Sequence, residues 1–192
     1  MRLREICCDP RLVADDWTGS SAKLEACLEL VTEAVAGGHR ILLFSQFTSM
    51  LELLAKRLDE AGVSHFTLQG STPKPVRAEQ VRRFNQGEAD VFLISLRAGG
   101  TGLNLPAADI VIHYDPWWNL AAQNQATDRA YLIGQRNPVQ VYRLIAQDTI
   151  EEKIVELQQA KQSLADTVTG GADGAILSMN PEQLLQLLGE EA

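Results

Sequence analysis

The 192-residue sequence has only three cysteines, Cys7, Cys8 and Cys27. An odd count without metal-ligand spacing leaves neither a disulfide framework nor a metal cluster, and adjacent Cys7 and Cys8 are poorly placed to bridge each other. Reduced, partly buried thiols and no metal site are expected. Long hydrophobic runs are also missing: none approaches the roughly 18 residues of a membrane span. The N-terminus, MRLREICCDP, is charged and lacks a signal peptide's apolar core. The default location is therefore the cytoplasm, with no membrane partner. Cations are outnumbered as well, 17 Lys and Arg against 25 Asp and Glu for a net charge of −8. That balance weighs against a broad basic surface for gripping nucleic acid.

What is present is a core. With 45% apolar residues the chain can bury one ordinary domain and a small appendage. RILLFSQF (40–47), VFLIS (91–95) and DIVIHYD (109–115) are short continuous apolar runs, as strands buried on both faces should be. HFTLQ (65–69) and VQVYRLIA (139–146) are weaker, partly alternating strands. Between them Leu24, Cys27, Leu28, Val31 and Val35 repeat at helical spacing, as do Leu51, Leu54, Ala55 and Leu58. Ser20 or Ser21 and Thr48 are placed to cap these helices, and Gly37-Gly38 and Gly62 to close them. This alternation predicts an α/β fold, a mainly parallel sheet with helices on both faces.

The C-terminal third differs. Ile150, Ile154, Leu157 and Leu164 stripe a long helix from near Thr149 to about Ala165, expected to brace the domain. TGGADGAILS (169–178) reads as a linker, and NPEQLLQLLGEEA (180–192) as a last short helix capped by Asn180.

In an open parallel sheet the ligand sits at the carboxyl ends of the strands. Here those ends carry Gln46, then GSTPKPVRAEQVRRFN (70–85), LRAGGTGLNLPAAD (96–109) and PWWNLAAQNQATDRAYLIGQ (116–135). The glycines of AGGTGLN (98–104) would let backbone N–H groups approach a phosphate, although a tight turn would need them equally. The stretch is neither a Walker A motif nor a Rossmann fingerprint. Ser71 and Thr72 precede a helix bearing Arg77, Arg82 and Arg83, where hydroxyls and a helix N-terminus suit phosphate as well as they suit an ordinary capped basic helix. Trp117 and Trp118 are adjacent and cannot both enter one core, so Trp117 is expected inside and Trp118 against a partner. QATDRAYLIGQ (125–135) reads as a helix with Gln125, Asp128, Arg129 and Leu132 on one stripe.

Taken in order, SAKLEACLELV, ILLFSQFTSMLELL, GSTP, VRRFN, FLISLRAGGTGLNLPAADIVIHYDPWWN, QATDRAYLIGQ, PVQVYRLIAQDTIEEKI and LQQAKQSLAD closely resemble the second RecA-like lobe of Snf2-family ATPases. These are double-stranded DNA translocases within helicase superfamily 2. The likeness runs from Ser21 to about Ala165, and AGGTGLNL with DPWWN resembles a bacterial member. It implies residues 1–20 as lead-in from a first lobe, 21–148 as the RecA-like lobe, 149–168 as a brace helix and 169–192 as linker and short helix.

The resemblance also implies roles. ATP with Mg²⁺ would be bound mainly by the first lobe, whose P-loop and Asp-Glu-x-His motif are absent from this sequence, so the chain alone is expected to be inactive. QATDRAYLIGQ matches motif VI, making Arg129 its first arginine, with Gln125 and Asp128 beside it at the catalytic site. Leu132 stands where the family has a second arginine, a loss worth about 10³ or more in rate; Leu120 replaces the more usual proline. Residues 98–104 match motif V, with Gly100 and Gly102 toward the nucleotide and Arg97, Gly99 and Thr101 toward DNA. Gln46, Ser71, Thr72 and Trp118 match positions that touch DNA phosphates or the groove. Partners implied are double-stranded DNA, held weakly by this lobe alone, and the first lobe; the setting is cytoplasmic and nucleoid-associated. Two other readings stay open: another superfamily 2 second lobe, and a non-catalytic interaction module that kept the fold.

Overall fold

The computed structural model describes residues 2–14, 16–99, 103–130 and 138–169. Five strands, β1 (Ile41–Ser45), β2 (His65–Leu68), β3 (Val91–Ser95), β4 (Ile110–His113) and β5 (Gln140–Arg143), form one sheet in the order β2-β3-β1-β4-β5. Every pairing is parallel, as expected of apolar runs joined by helices. β1, β3 and β4 are buried along their whole length, and β5 at the edge is mostly exposed. That difference explains the weaker alternation of its sequence.

The helices are α1 (Arg2–Cys8), α2 (Ala22–Ala36), α3 (Thr48–Glu60), α4 (Lys74–Asn85), α5 (Leu96–Gly99), α6 (Leu120–Thr127) and α7 (Ile150–Thr169), with a 3₁₀ turn at Pro10–Leu12. Leu24 and Val31 of α2 and Leu51 and Leu54 of α3 pack with Ile41, Leu43 and Leu93 on one face. Phe84 of α4 and Ala126 of α6 cover Leu42, Phe44 and Phe92 on the other. Period-2 alternation along each strand thus feeds two cores. The chain divides into two compact units, Met1–Val155 and Glu156–Ala192.

Local chemistry sets the helix ends. Ser21 caps α2, its Oγ accepting from Leu24 N–H at 3.4 Å, and the chain leaves α2 through Gly38 at φ +82° and α3 through Gly62 at φ +70°. Thr48, expected as a cap, is instead the first residue of α3; Phe47 holds the cap position without a side-chain bond. The hydroxyl that serves this turn is Ser45 Oγ, which accepts from Phe47 N–H at 3.2 Å. Thr149 Oγ1 accepts from Glu151 N–H at 3.1 Å at the start of α7. The sequence reading has no helix over residues 2–8; α1 is buried only at Cys8. Among the described residues no helix is long and apolar enough to cross a membrane, and no group of three His, Cys, Asp or Glu converges as a metal would require.

Candidate functional site

The parallel register brings the carboxyl ends of the strands into line, pairing Ser45 with Ser95 and Phe44 with His113. Between the ends of β1, β2 and β3 lies a cleft of about 490 Å³, lined by Gln46, Phe47, Thr48, Ser49, Gln69, Gly70, Ser71, Ser95 and Glu5 of α1. It gathers two of the expected DNA-contact residues, Gln46 and Ser71, and adds the hydroxyls of Thr48, Ser49 and Ser95. Because α3 begins without a side-chain cap, its first-turn amides are left for another acceptor at this end. Glu5 is the single carboxylate in the lining among the described residues and opposes an anion there.

Thr72 is turned to its own loop. Its Oγ1 accepts from Gln69 N–H at 3.0 Å and its N–H donates to Gln69 O at 3.1 Å, closing the turn ahead of α4. The basic helix is also less available than its sequence implies: Arg82 bonds Glu79 and Gln86, and Arg83 bonds Glu88 at 2.7 Å while lying over the Phe66 ring. Both arginines are engaged by neighbours on the protein.

After β4 the chain turns through Asp115, Pro116, Trp117 and Trp118. Trp117 packs partly against the core, and its N–H donates to Gln123 Oε1 at 3.2 Å. Trp118 is 60% exposed. Asp115 is buried, and burial raises its carboxyl pKa to about 6 against the hydrogen bond from Ser45 and the charge of Lys23. Beside it, His113 is held neutral, its pKa lowered to about 4 by burial and then by Arg143. The Thr127 hydroxyl donates to Gln123 O at 3.2 Å, so the His113 Nε2–H donates to that hydroxyl at 2.8 Å. Nδ1 of His113 has no hydrogen-bond partner among the described residues.

Of the expected helix over 125–135, only 125–130 lie within the described residues, and they are not helical throughout. α6 ends at Thr127, and 128–130 form a turn closed by Asp128 N–H to Asn124 O at 2.9 Å and Ala130 N–H to Thr127 O at 3.1 Å. The Arg129 carbonyl is taken by Leu105 N–H at 3.3 Å, which draws the chain off the helical path toward the loop after α5. Gln125 and Asp128 are exposed. Arg129 is buried at 6% exposure; its Nη1 donates to Leu103 O at 3.4 Å, and its Nε has no partner among the described residues. Burial lowers its pKa, opposed by Asp128. This is a buried cation beside the glycine-rich loop with no carboxylate bonded to it among the described residues, and such a charge is costly unless an anion completes it. It does not line the cleft.

Arg97 and Gly99 lie in the single helical turn of α5, where a glycine loop was expected, and Ser95 Oγ accepts from Ala98 N–H at 3.2 Å. Gly100, Thr101 and Gly102 lie outside the described residues, as do Leu132, Arg136 and the C-terminal linker and helix from 170 onward. The residues that sequence reasoning missed are Thr48, Ser49, Ser95 and Asp115. The signal for Ser95 and Asp115 was available, since both follow continuous apolar strands at their carboxyl ends.

Comparison with known proteins bears on the family and the fold. The helicase conserved C-terminal domain model matches residues 22–134. The chain is 40% identical to an uncharacterized ATP-dependent helicase of Mycoplasma pneumoniae, over 97% of this chain and 18% of that protein. It is 41% identical to the putative ATP-dependent helicase/translocase YwqA of Bacillus subtilis, over 97% of this chain and 21% of that protein. It is 45% identical to the chromatin-remodeling ATPase INO80 of Aspergillus terreus, over 86% of this chain and 10% of that protein. Among solved structures, the C-terminal part of the Fun30 ATPase domain superposes with a TM-score of 0.69 at 32% identity, covering 81% of this chain and 53% of that one. The chain thus spans about a fifth of the length of the bacterial relatives it matches.

Proposed function

The chain belongs to the helicase conserved C-terminal domain family, as the C-terminal lobe of a Snf2-type helicase, and from that premise we propose that it is the second lobe of an ATP-dependent double-stranded DNA translocase. The observation that carries this reading is Arg129, buried with an unpartnered Nε and no bonded carboxylate among the described residues. A guanidinium kept in that condition suits a phosphate, which would supply the missing acceptors and the missing charge.

The division of labour follows from the donor set. ATP with Mg²⁺, held mainly by a first lobe, supplies the phosphoanhydride whose hydrolysis drives movement. This chain contributes Arg129 to neutralise charge on the transferred phosphoryl group, with Asp128 beside it, Gln125 in the preceding helix, and Gly100 and Gly102 as nucleotide contacts. The cleft contributes Gln46, Thr48, Ser49 and Ser71 to backbone phosphates, with Trp118 at the groove and Arg97, Gly99 and Thr101 along the same DNA. Contacts to phosphate without base readout suit movement along arbitrary sequence. The acidic surface and Glu5 keep the affinity of this lobe alone low and strongly salt-dependent, and the chain alone does not hydrolyse ATP.

The test is DNA-stimulated ATP hydrolysis by a two-lobe protein carrying this chain as its second lobe. Arg129→Ala is expected to lower kcat about a thousandfold with a small change in KM. Unchanged turnover would remove Arg129 from the ATP site.

A further inference from the structure

One buried contact lies beneath the cleft rather than in it. Asp115, 1% exposed, accepts from Ser45 Oγ–H at 2.6 Å through Oδ1, and its two oxygens lie 3.3 and 3.4 Å from the Gln46 N–H. Ser45 Oγ in turn accepts from the N–H of Phe47, the cap residue of α3. A single carboxylate at the end of β4 therefore holds three consecutive residues of the turn after β1, some 70 positions earlier in the chain. The Gln46 carboxamide adds to the stabilisation of the Asp115 charge, and its buried Nε2 has no hydrogen-bond partner among the described residues.

The same aspartate opens the turn that carries Trp118. That turn is fixed from two further sides, by Arg4 Nη2–H donating to Pro116 O at 2.8 Å and by Gln123 accepting from Trp117 N–H. The turns after β1 and β4 consequently share one anchor. Stability does not account for a charge at this depth, because burying a carboxylate against one hydroxyl and one amide is unfavourable compared with an apolar side chain. Polarity does account for it. An ionised carboxylate only accepts, so the Ser45 hydroxyl must donate to it and is left with lone pairs for Phe47 N–H.

We propose that Asp115 is a positioning residue for DNA contact: through Ser45 it sets the turn between β1 and α3 so that Gln46 and the first turn of α3 face backbone phosphates, and it ties that turn to the one bearing Trp118. The inference rests on the reading of the cleft as a DNA-phosphate site. Asp115 touches no phosphate itself. An asparagine would accept or donate at the same place and would leave the hydroxyl of Ser45 without a fixed direction.

The experiment is equilibrium binding of the 192-residue chain to a labelled DNA duplex of arbitrary sequence over a series of salt concentrations, with circular dichroism used to choose a temperature at which every variant is folded. Asp115→Asn and Ser45→Ala are each expected to weaken binding by about five- to tenfold and to lower the salt slope by about one phosphate contact. The double variant should bind no worse than either single one, because both break one relay. A merely structural role would leave affinity and slope of the folded variants at the parent values, or make the two losses add. Ser49→Glu, which places a negative charge at the α3 N-terminus, separates the two levels. If Ser49→Glu abolishes binding while Asp115→Asn and Ser45→Ala bind like the parent, the cleft stands and the positioning role falls. If Ser49→Glu also binds like the parent, the phosphate reading of the cleft falls and takes the proposal with it.

Discussion

Lys23 and Glu151 form a buried ion pair, the ammonium 2.6 Å from Oε2 with side-chain exposures of 8% and 1%. Glu151 also accepts from Ala146 N–H at 2.8 Å, and Lys23 lies 5.1 Å from the centroid of the Tyr114 ring, whose hydroxyl donates to Cys8 O at 2.9 Å. The pair joins the start of α2 to the start of α7 and, through Tyr114, to the end of β4 and to α1. Lys23→Met leaves Glu151 as an uncompensated buried charge and is expected to destabilise the chain by about 3–5 kcal/mol. Adding Glu151→Gln removes that charge and should recover part of the loss. Urea unfolding of the three proteins checks this; an additive double variant contradicts it.

Asp115 and His113 titrate with opposite sign. The carboxyl of Asp115 is raised to about 6, so between pH 4 and 6 the folded chain holds a proton that the unfolded chain has released. Its contribution to stability is present below pH 4 and lost as pH rises through 6. His113 is lowered to about 4, so its contribution is present above its ordinary 6.5 and lost as pH falls toward 4. Each is on the order of 3 kcal/mol, and in the parent they largely cancel. Asp115→Asn should therefore lose about 3 kcal/mol relative to the parent between pH 6.5 and 4, and His113→Gln should gain about as much over the same interval. Parallel pH profiles of unfolding free energy for parent and both variants would contradict the assignment.

Glu5 is the carboxylate in the cleft lining. If the cleft receives DNA phosphates, Glu5→Gln removes a repulsion and should tighten duplex binding by about threefold at low salt, with the gain fading as salt screens it. A gain that does not depend on salt, or no gain, argues against phosphate in the cleft.

Much of the fold was legible because its strands lie deep. VFLIS is β3 residue for residue, and ILLFS and IVIH sit inside the predicted runs, since a strand covered on both faces has no polar positions to blur it. α1 was missed because RLREICC is short and buries only Cys8. The stripe Gln125, Asp128, Arg129 continued on paper past the point where the Arg129 carbonyl meets Leu105 N–H; a contact across more than twenty residues leaves no local trace. Lys23 was hidden for a related reason. It is a charged residue beside an apolar pattern, which usually means solvent, and only its tertiary partner Glu151 reveals a buried role.

The most direct test of the account is DNA-stimulated ATP turnover by a two-lobe protein carrying this chain, compared with its Leu132→Arg form. If Arg129 faces the transferred phosphoryl group as proposed, restoring the second cation should raise kcat by about 10³ or more and the gain should require DNA. If the two forms turn over ATP alike and neither responds to DNA, the turn is scaffold, and the chain is an interaction module that kept the helicase fold.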